Sequence, residues 1–306
     1  MYWITKIKTI IGITFLIMLI LSCSEDNNTG VSSGTNYKIY DCGANPVWSA
    51  SGDYIVFEGS IGAEGGICSI DPEGNNPKIL LNYKDFGGLK PIDFSNDNYL
   101  IIDSWANDNA RIYYLKPNGK EPVFITDGFG VAIYGNIDNY YNITYYQITD
   151  IEDIALNEIY LTDIHHSEPK FCKEGGVHYP DISPDGSRLA YFRGEGNSIN
   201  IYVYDIETKE EKFICEVSYG PTCLRWSPDG NWIAFNSSYT LDGKNYSKRV
   251  VWIVSSEGGE PIRLFDDPNY PSVAYPGVLH FSWSPNGKWI VYDDNDNEIW
   301  KVRVFE

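Results

Sequence analysis

Short runs of alternating apolar and polar side chains, punctuated by turn residues, fill the chain from about residue 36 onward, and the runs recur as a unit. The clearest unit is residues 226–235, where Ile233, Ala234 and Phe235 follow the turn Ser227-Pro228-Asp229-Gly230. Related phrases begin at Trp48, Phe94, Ile182 and Trp283, which places a shared serine at Ser49, Ser95, Ser183, Ser227 and Ser284. The spacings are 46, 88, 44 and 57 residues. Because 88 is twice 44, a degenerate sixth copy is expected between Ser95 and Ser183, at residues 130–146. Units of about 40–50 residues holding several short strands have the period of propeller blades, not of helical solenoids.

Each unit has a physical grammar. Proline fixes φ, aspartate bonds nearby backbone amides and glycine accepts φ > 0, so the turn ends one strand and begins the next. A third run follows, such as Ile201-Tyr202-Val203-Tyr204, and then a fourth, such as residues 212–215 or 261–264. Both faces of these runs are apolar, as in a sheet packed between two neighbours. The expected fold is all-β: a six-bladed β-propeller of four-stranded antiparallel blades, with no helix after residue 22. The last unit has strands expected at residues 288–292 and 298–304 and then stops at Glu306, so its outer strand must come from elsewhere. Residues 37–40 resemble the fourth strands and precede the first unit. Closure of the last blade by this N-terminal strand would remove the free edges.

Ahead of the repeats, Lys6 and Lys8 precede an apolar run over residues 9–21, too short to span a bilayer and suited to a signal-peptide core. The run ends at Ile20-Leu21-Ser22-Cys23, which resembles the lipobox of bacterial lipoproteins. The expected organisation is therefore a signal peptide over residues 1–22, a lipidated Cys23 with a flexible tether over 23–35, and the propeller over 36–306. The tether is polar and carries Gly and Ser, and acyl chains on Cys23 would hold the protein to a membrane. The formal charge is −19, which repels phosphate backbones and argues against a nucleic-acid partner. It also leaves membrane attachment to the lipid. Five cysteines remain after Cys23: Cys42, Cys68, Cys172, Cys215 and Cys223. None has C-x-x-C spacing, and Cys68, Cys172 and Cys215 fall at strand positions where cysteine behaves as a small apolar residue. A disulfide such as Cys42 with Cys68 is the alternative.

The repeats resemble those of the TolB family of β-propellers, whose core phrase is close to W-S-P-D-G-x-x-I-A-F followed by an I-Y-x-x-D strand. Residues Trp226 to Gly230 with Ile233-Ala234-Phe235 carry it, as do Ser183 to Gly186 with Leu189-Ala190-Tyr191 and Ile201 to Asp205. The resemblance covers residues 36–306 as architecture and is specific for fold. TolB itself carries an additional N-terminal α/β domain, is soluble and docks a separate lipoprotein. Here Cys23 and Tyr37 leave no room for that domain, so the resemblance implies a TolB-like propeller distinct from TolB, in a Gram-negative cell envelope and at the outer membrane. Ser24-Glu25-Asp26 after Cys23 resembles an acidic surface-export signal.

Candidate chemistry is sparse. Four histidines are present, His165, His166, His178 and His280. The first two are adjacent and would face opposite ways on a strand. His178 and His280, on expected inner strands, are the pair that a channel-mouth active site would use. No G-x-S-x-G nucleophile elbow occurs. The acidic run over residues 293–298 alternates oxygen ligands but lacks the glycine and spacing of an EF-hand loop, and reads as a solvated hairpin tip. No catalytic residue, metal site or cofactor is assigned. Asp93, Asp181 and Arg225 share one position, two residues before the serine; if that position faces the channel, opposite charges converge there, and the alternative is that they are hairpin-end residues paired with backbone. Two long loops are candidate recognition surfaces: residues 239–247, with Tyr239, Leu241 and Tyr246, and residues 269–276, with Tyr270 and Tyr275. Two functions follow. One is a non-catalytic scaffold that binds an envelope protein partner through its loops. The other is a glycan-binding or glycan-cleaving propeller with its site at the channel mouth. A converging cluster of His, Tyr, Arg or carboxylates at one mouth favours the second; an apolar face favours the first.

Overall fold

The structure, a computed structural model, describes residues 36–86, 88–106, 109–127, 129–133, 143–147, 158–163, 170–195, 198–217, 220–240, 247–264, 278–294 and 296–304. Strand β1 (Asn36–Tyr40) leads into blade 1, formed by β2 (Gly43–Trp48), β3 (Ile55–Ile61), β4 (Glu64–Ile70) and β5 (Lys78–Asn82). Blade 2 is β6 (Leu89–Phe94), β7 (Leu100–Ala106), β8 (Asn109–Leu115) and β9 (Val123–Asp127); blade 3 is β10 (Phe129–Ile133), β11 (Ile143–Gln147), β12 (Glu158–Thr162) and β13 (Lys170–Glu174). Blade 4 is β14 (Val177–Ile182), β15 (Arg188–Glu195), β16 (Ser198–Asp205) and β17 (Glu211–Val217). Blade 5 is β18 (Leu224–Trp226), β19 (Trp232–Thr240), β20 (Ser247–Ser255) and β21 (Ile262–Arg263), and blade 6 holds β22 (Phe281–Trp283), β23 (Trp289–Asp293) and β24 (Ile299–Arg303). All six sheets have four strands, because β1 pairs antiparallel with β24, Asn36 opposite Val302 and Lys38 opposite Trp300. The degenerate copy expected at residues 130–146 is blade 3. Among the described residues the one helical element is the four-residue turn Tyr83–Phe86, which the strand pattern did not foresee.

The first strand of each blade touches the first strand of the next all the way round, β22 meeting β2, so six inner strands enclose a central channel. Blades adhere by interdigitating side chains, and strand alternation decides which face goes where. Ile233 and Phe235 of β19 pack against Phe192, Ile201 and Val203 of blade 4, while Ala234 between them turns to Trp283, Ile290 and Tyr292 of blade 6. Closure repeats this between Val291 and Ile299 of blade 6 and Ile55, Phe57 and Cys68 of blade 1, with Ile39 of β1 in the same cluster.

The repeated phrase explains itself atom by atom. The shared serine is buried in all five copies. Its hydroxyl accepts the backbone N–H that opens the second strand: Tyr54 on Ser49 at 3.2 Å, Tyr99 on Ser95, Arg188 on Ser183, Trp232 on Ser227 and Trp289 on Ser284, each of those four at 2.9 Å. In turn the hydroxyl donates to the turn carboxylate or amide, as Ser227 does to Asp229 at 2.6 Å. The tryptophan before it is an inter-blade strut. Trp226 Nε1 donates to Asp181 O of blade 4 at 3.2 Å, and Trp283 Nε1 to Arg225 O of blade 5 at 3.4 Å.

Candidate functional site

One end of the channel carries a cluster of buried polar side chains. The second strand of a blade finishes its apolar run with a polar residue: Glu58, Asp103, Asn236 and Asp293, with Phe192 at the corresponding place in blade 4. These four polar side chains are all buried. Two of them stitch the inner strand of their own blade to the next blade. Asn236 Oδ1 accepts from Thr222 N at 2.7 Å and Cys223 N at 3.0 Å, and its amide donates to Val278 O and Leu279 O, both at 3.0 Å. Asp293 accepts from His280 N at 2.6 Å and, across the closure, from Asn45 N at 2.8 Å.

From Asp293 a polar network crosses the mouth. His280 Nδ1 lies 3.2 Å from Asp293 Oδ2, and Lys90 Nζ of blade 2 lies 3.2 Å from His280 Nε2. The tautomer that satisfies both contacts donates from Nδ1 to the carboxylate and accepts at Nε2 from the ammonium. Nearby, Asn45 Nδ2 and Tyr83 OH donate to the two oxygens of Glu58 at 2.9 and 2.7 Å. Enclosure dominates the electrostatics. It pushes the Glu58 carboxyl up and the Asp103 carboxyl up to about 7, against the pull of Lys90 on both. It holds Lys90 and His280 below their usual values. Two acceptors here are buried without a hydrogen-bond partner, Asn45 Oδ1 and Asp103 Oδ1. With that tautomer the imidazole lone pair faces the Lys90 ammonium.

One step farther along the inner strands, desolvation lowers the Arg225 pKa, while Cys223, Asp181 and Asp93, in that order, raise it to a net increase. Burial pushes the Asp181 carboxyl up to about 7, Arg225 pulling it down and Asp93 pushing it up. Each of the three also bonds backbone: Asp181 Oδ2 accepts from Trp226 N at 2.6 Å, Asp93 Oδ1 from Phe94 N at 2.8 Å, and Arg225 donates to Leu224 O at 3.1 Å. Opposite charges and backbone pairing thus coexist at this position. Of the two watched histidines, His280 enters the network, whereas His178 is half-buried on β14 with its pKa lowered by desolvation. The acidic run is not a solvated tip at its start. Asp293 and Asp294 are buried, and Asp294 accepts from Asp296 N, Glu298 N and Trp300 Nε1, each at 3.0 Å. Tyr239 belongs to β19, paired with Lys248, rather than to a loop. Leu241, Tyr246, Tyr270, Tyr275, His165, His166 and Cys23 lie outside the described residues. Cys68, Cys172, Cys215 and Cys223 are free and buried, so Cys42 does not pair with Cys68. Among the described residues no three His, Cys, Asp or Glu are grouped to hold a metal ion, and no helix is long and apolar enough to cross a membrane.

No protein-family model matches the chain. It is 33% identical over 118 residues to the uncharacterized peptidase YuxL of Bacillus subtilis strain 168, covering 37% of this chain and 16% of that one. It is 26% identical over 203 residues to the uncharacterized protein Atu1656 of Agrobacterium fabrum, covering 66% and 64%. The chain therefore spans less than two thirds of either relative. Among solved structures it superimposes on a protein of Agrobacterium tumefaciens described as TolB with a TM-score of 0.61 at 19% identity, over 89% of this chain and 97% of that one. The gluconolactonase XC5397 of Xanthomonas campestris gives 0.59 at 11% identity over 88% and 89%. An oligogalacturonate lyase in complex with manganese gives 0.55 at 11% identity over 94% and 97%. At these identities the likeness is one of fold, and the fold of this chain is the TolB-like six-bladed β-propeller.

Proposed function

We propose that this protein is a glycan-binding propeller whose site is the charged mouth of the central channel. The observation that carries the reading is the pairing, in one place, of a half-buried donor, Lys90 Nζ, with two buried acceptors that have no donor among the described residues, Asn45 Oδ1 and Asp103 Oδ1. A sugar hydroxyl donates and accepts at once and satisfies both kinds of group, and an unsatisfied buried acceptor costs about 1–3 kcal/mol until it is met. Two fold neighbours are a gluconolactonase and an oligogalacturonate lyase, and carbohydrate chemistry in those proteins agrees with a sugar-sized ligand here. Isothermal titration with neutral and acidic oligosaccharides tests it. Binding that Lys90→Met abolishes supports the reading; binding that survives Lys90→Met, in a variant that still folds, refutes it.

The same proposal places the propeller on a lipid anchor at Cys23 in the cell envelope, with residues 24–35 as the tether, in keeping with the apolar segment over residues 9–21. A protein-binding role is the second reading. Phe124, Phe171 and Phe213 favour it: each is an exposed aromatic on an outer strand, edge-on at 5.8 Å to Tyr113, Tyr160 or Tyr202 of the strand beside it. They sit on three separate blades, however, and not on one face around the mouth.

A further inference from the structure

Arg249 stands apart from the other six arginines of this acidic chain. Arg111 pairs with Asp127 at 3.4 Å, Arg188 with Glu257 at 3.6 Å and Arg193 with Glu211 at 2.5 Å. Arg225 lies among Asp181 and Asp93, and Arg263 and Arg303 lie over the indoles of Trp252 and Trp289. Arg249 is half-buried, and among the described residues no carboxylate pairs with it and its buried Nε has no acceptor. The group whose field it feels is a phenol, Tyr179. A partly desolvated guanidinium with no counter-ion among the described residues is costly, in a chain whose formal charge is −19.

The surroundings are shaped around that guanidinium. Tyr179 adopts φ 47° at the bulge of β14, four residues before Ser183, as Asn45 adopts φ 53° at the bulge of β2, four residues before Ser49. A bulky residue in the left-handed region is strained, and the strain leaves the ring exposed, edge-on to Phe192 at 6.3 Å. Gly220, at φ 65°, has no side chain where a Cβ would come within 3.2 Å of the Arg249 guanidinium. The backbone of Arg249 accepts from Val278 N at 3.2 Å, two residues before His280. Arg249 therefore flanks the segment that leads into His280 at the mouth.

We infer that Arg249, with Tyr179 beside it, is the docking subsite for a carboxylate on the glycan, so that the mouth selects acidic sugars over neutral ones. The inference rests on the channel-mouth reading and adds the ligand class. The guanidinium fork takes a carboxylate through two parallel hydrogen bonds, which an ammonium cannot reproduce. Glucuronate, glucose and inorganic phosphate are titrated into the full chain, its Arg249→Met and Arg249→Lys variants, and Lys90→Met. The expected result is wild-type preference for glucuronate over glucose by tenfold or more, erased in Arg249→Met and reduced in Arg249→Lys. Arg249→Lys keeps the charge and so reports even if Arg249→Met fails to fold. Glucuronate binding equal to wild type in both variants overturns the inference; if Lys90→Met then abolishes it, the channel-mouth reading stands without this subsite. Wild-type protein that binds neither anion overturns the inference, and tighter Arg249-dependent binding of phosphate overturns the carboxylate assignment.

Discussion

Ser227 shows how one buried hydroxyl fixes a turn: it accepts from Trp232 N and donates to Asp229, and neither contact survives its loss. Ser227→Ala is expected to lower stability by ~1–3 kcal/mol, because a buried N–H is left without an acceptor; a shift of the urea midpoint at constant slope measures it. Asp103 makes a pH prediction. Its carboxyl, pushed up to about 7 in the folded chain from an ordinary 3.8, binds more protons folded than unfolded between those values, so its contribution to stability falls as pH rises through that window. The stability of Asp103→Asn minus that of wild type should therefore grow from pH 4 to pH 7 and level off above it; a flat difference contradicts the burial assigned to Asp103. The serine of the repeat was legible as a recurring letter, but its role as acceptor was not. The polar residue closing the second strand in four blades, Glu58, Asp103, Asn236 or Asp293, was also present in the sequence, though not as one repeated letter. It was missed because a carboxylate after an apolar run reads as the start of a solvated hairpin, and alternation carries no information about which strand ends point into a channel.

At the scale of elements, closure hangs on β1. Gly74, at φ 87°, lies so close to the Ile39 carbonyl that a Cβ would overlap it. Gly74→Ala is expected to cost on the order of 2 kcal/mol or more, through both the backbone conformation and the displaced strand, and to expose β24 to amide exchange ahead of the other blades. Lys38 reinforces the same seam through Asp41 at 2.7 Å and Glu298 at 3.1 Å. The closing strand was legible because the last repeat is short of an outer strand and residues 37–40 supply the right pattern. Blade 3 was legible only as a gap of two periods, since no S-P-D-G turn marks it. The turn Tyr83–Phe86 escaped because a single helical turn has too few residues to show a period, yet it delivers the Tyr83 hydroxyl to Glu58.

For the whole molecule, the six-fold ring follows from repetition alone, whereas the site depends on departures from it. Lys90, Tyr179 and His280 occupy corresponding stretches of three inner strands and share no residue type, so a consensus of the repeats hides them. Their convergence is a property of ring closure, which brings blade 6 beside blade 1 and Lys90 of blade 2 within reach of His280. The proposed anchor is a whole-molecule property too. Non-reducing mass spectrometry of the N-terminal peptide from native membranes is expected to show a diacylglyceryl mass on Cys23. A Cys23 to Cys42 cross-link instead would overturn the anchor, because a thioether sulfur has no thiol left to pair.

The most direct test of the channel-mouth site is a crystal structure of the protein soaked with a dimeric uronate. The account predicts sugar density at the mouth with a hydroxyl within hydrogen-bond distance of Asn45 Oδ1 or Asp103 Oδ1 and with Lys90 Nζ in contact. Density confined to the outer rim beside Phe124, Phe171 or Phe213, with the mouth unchanged, would contradict it.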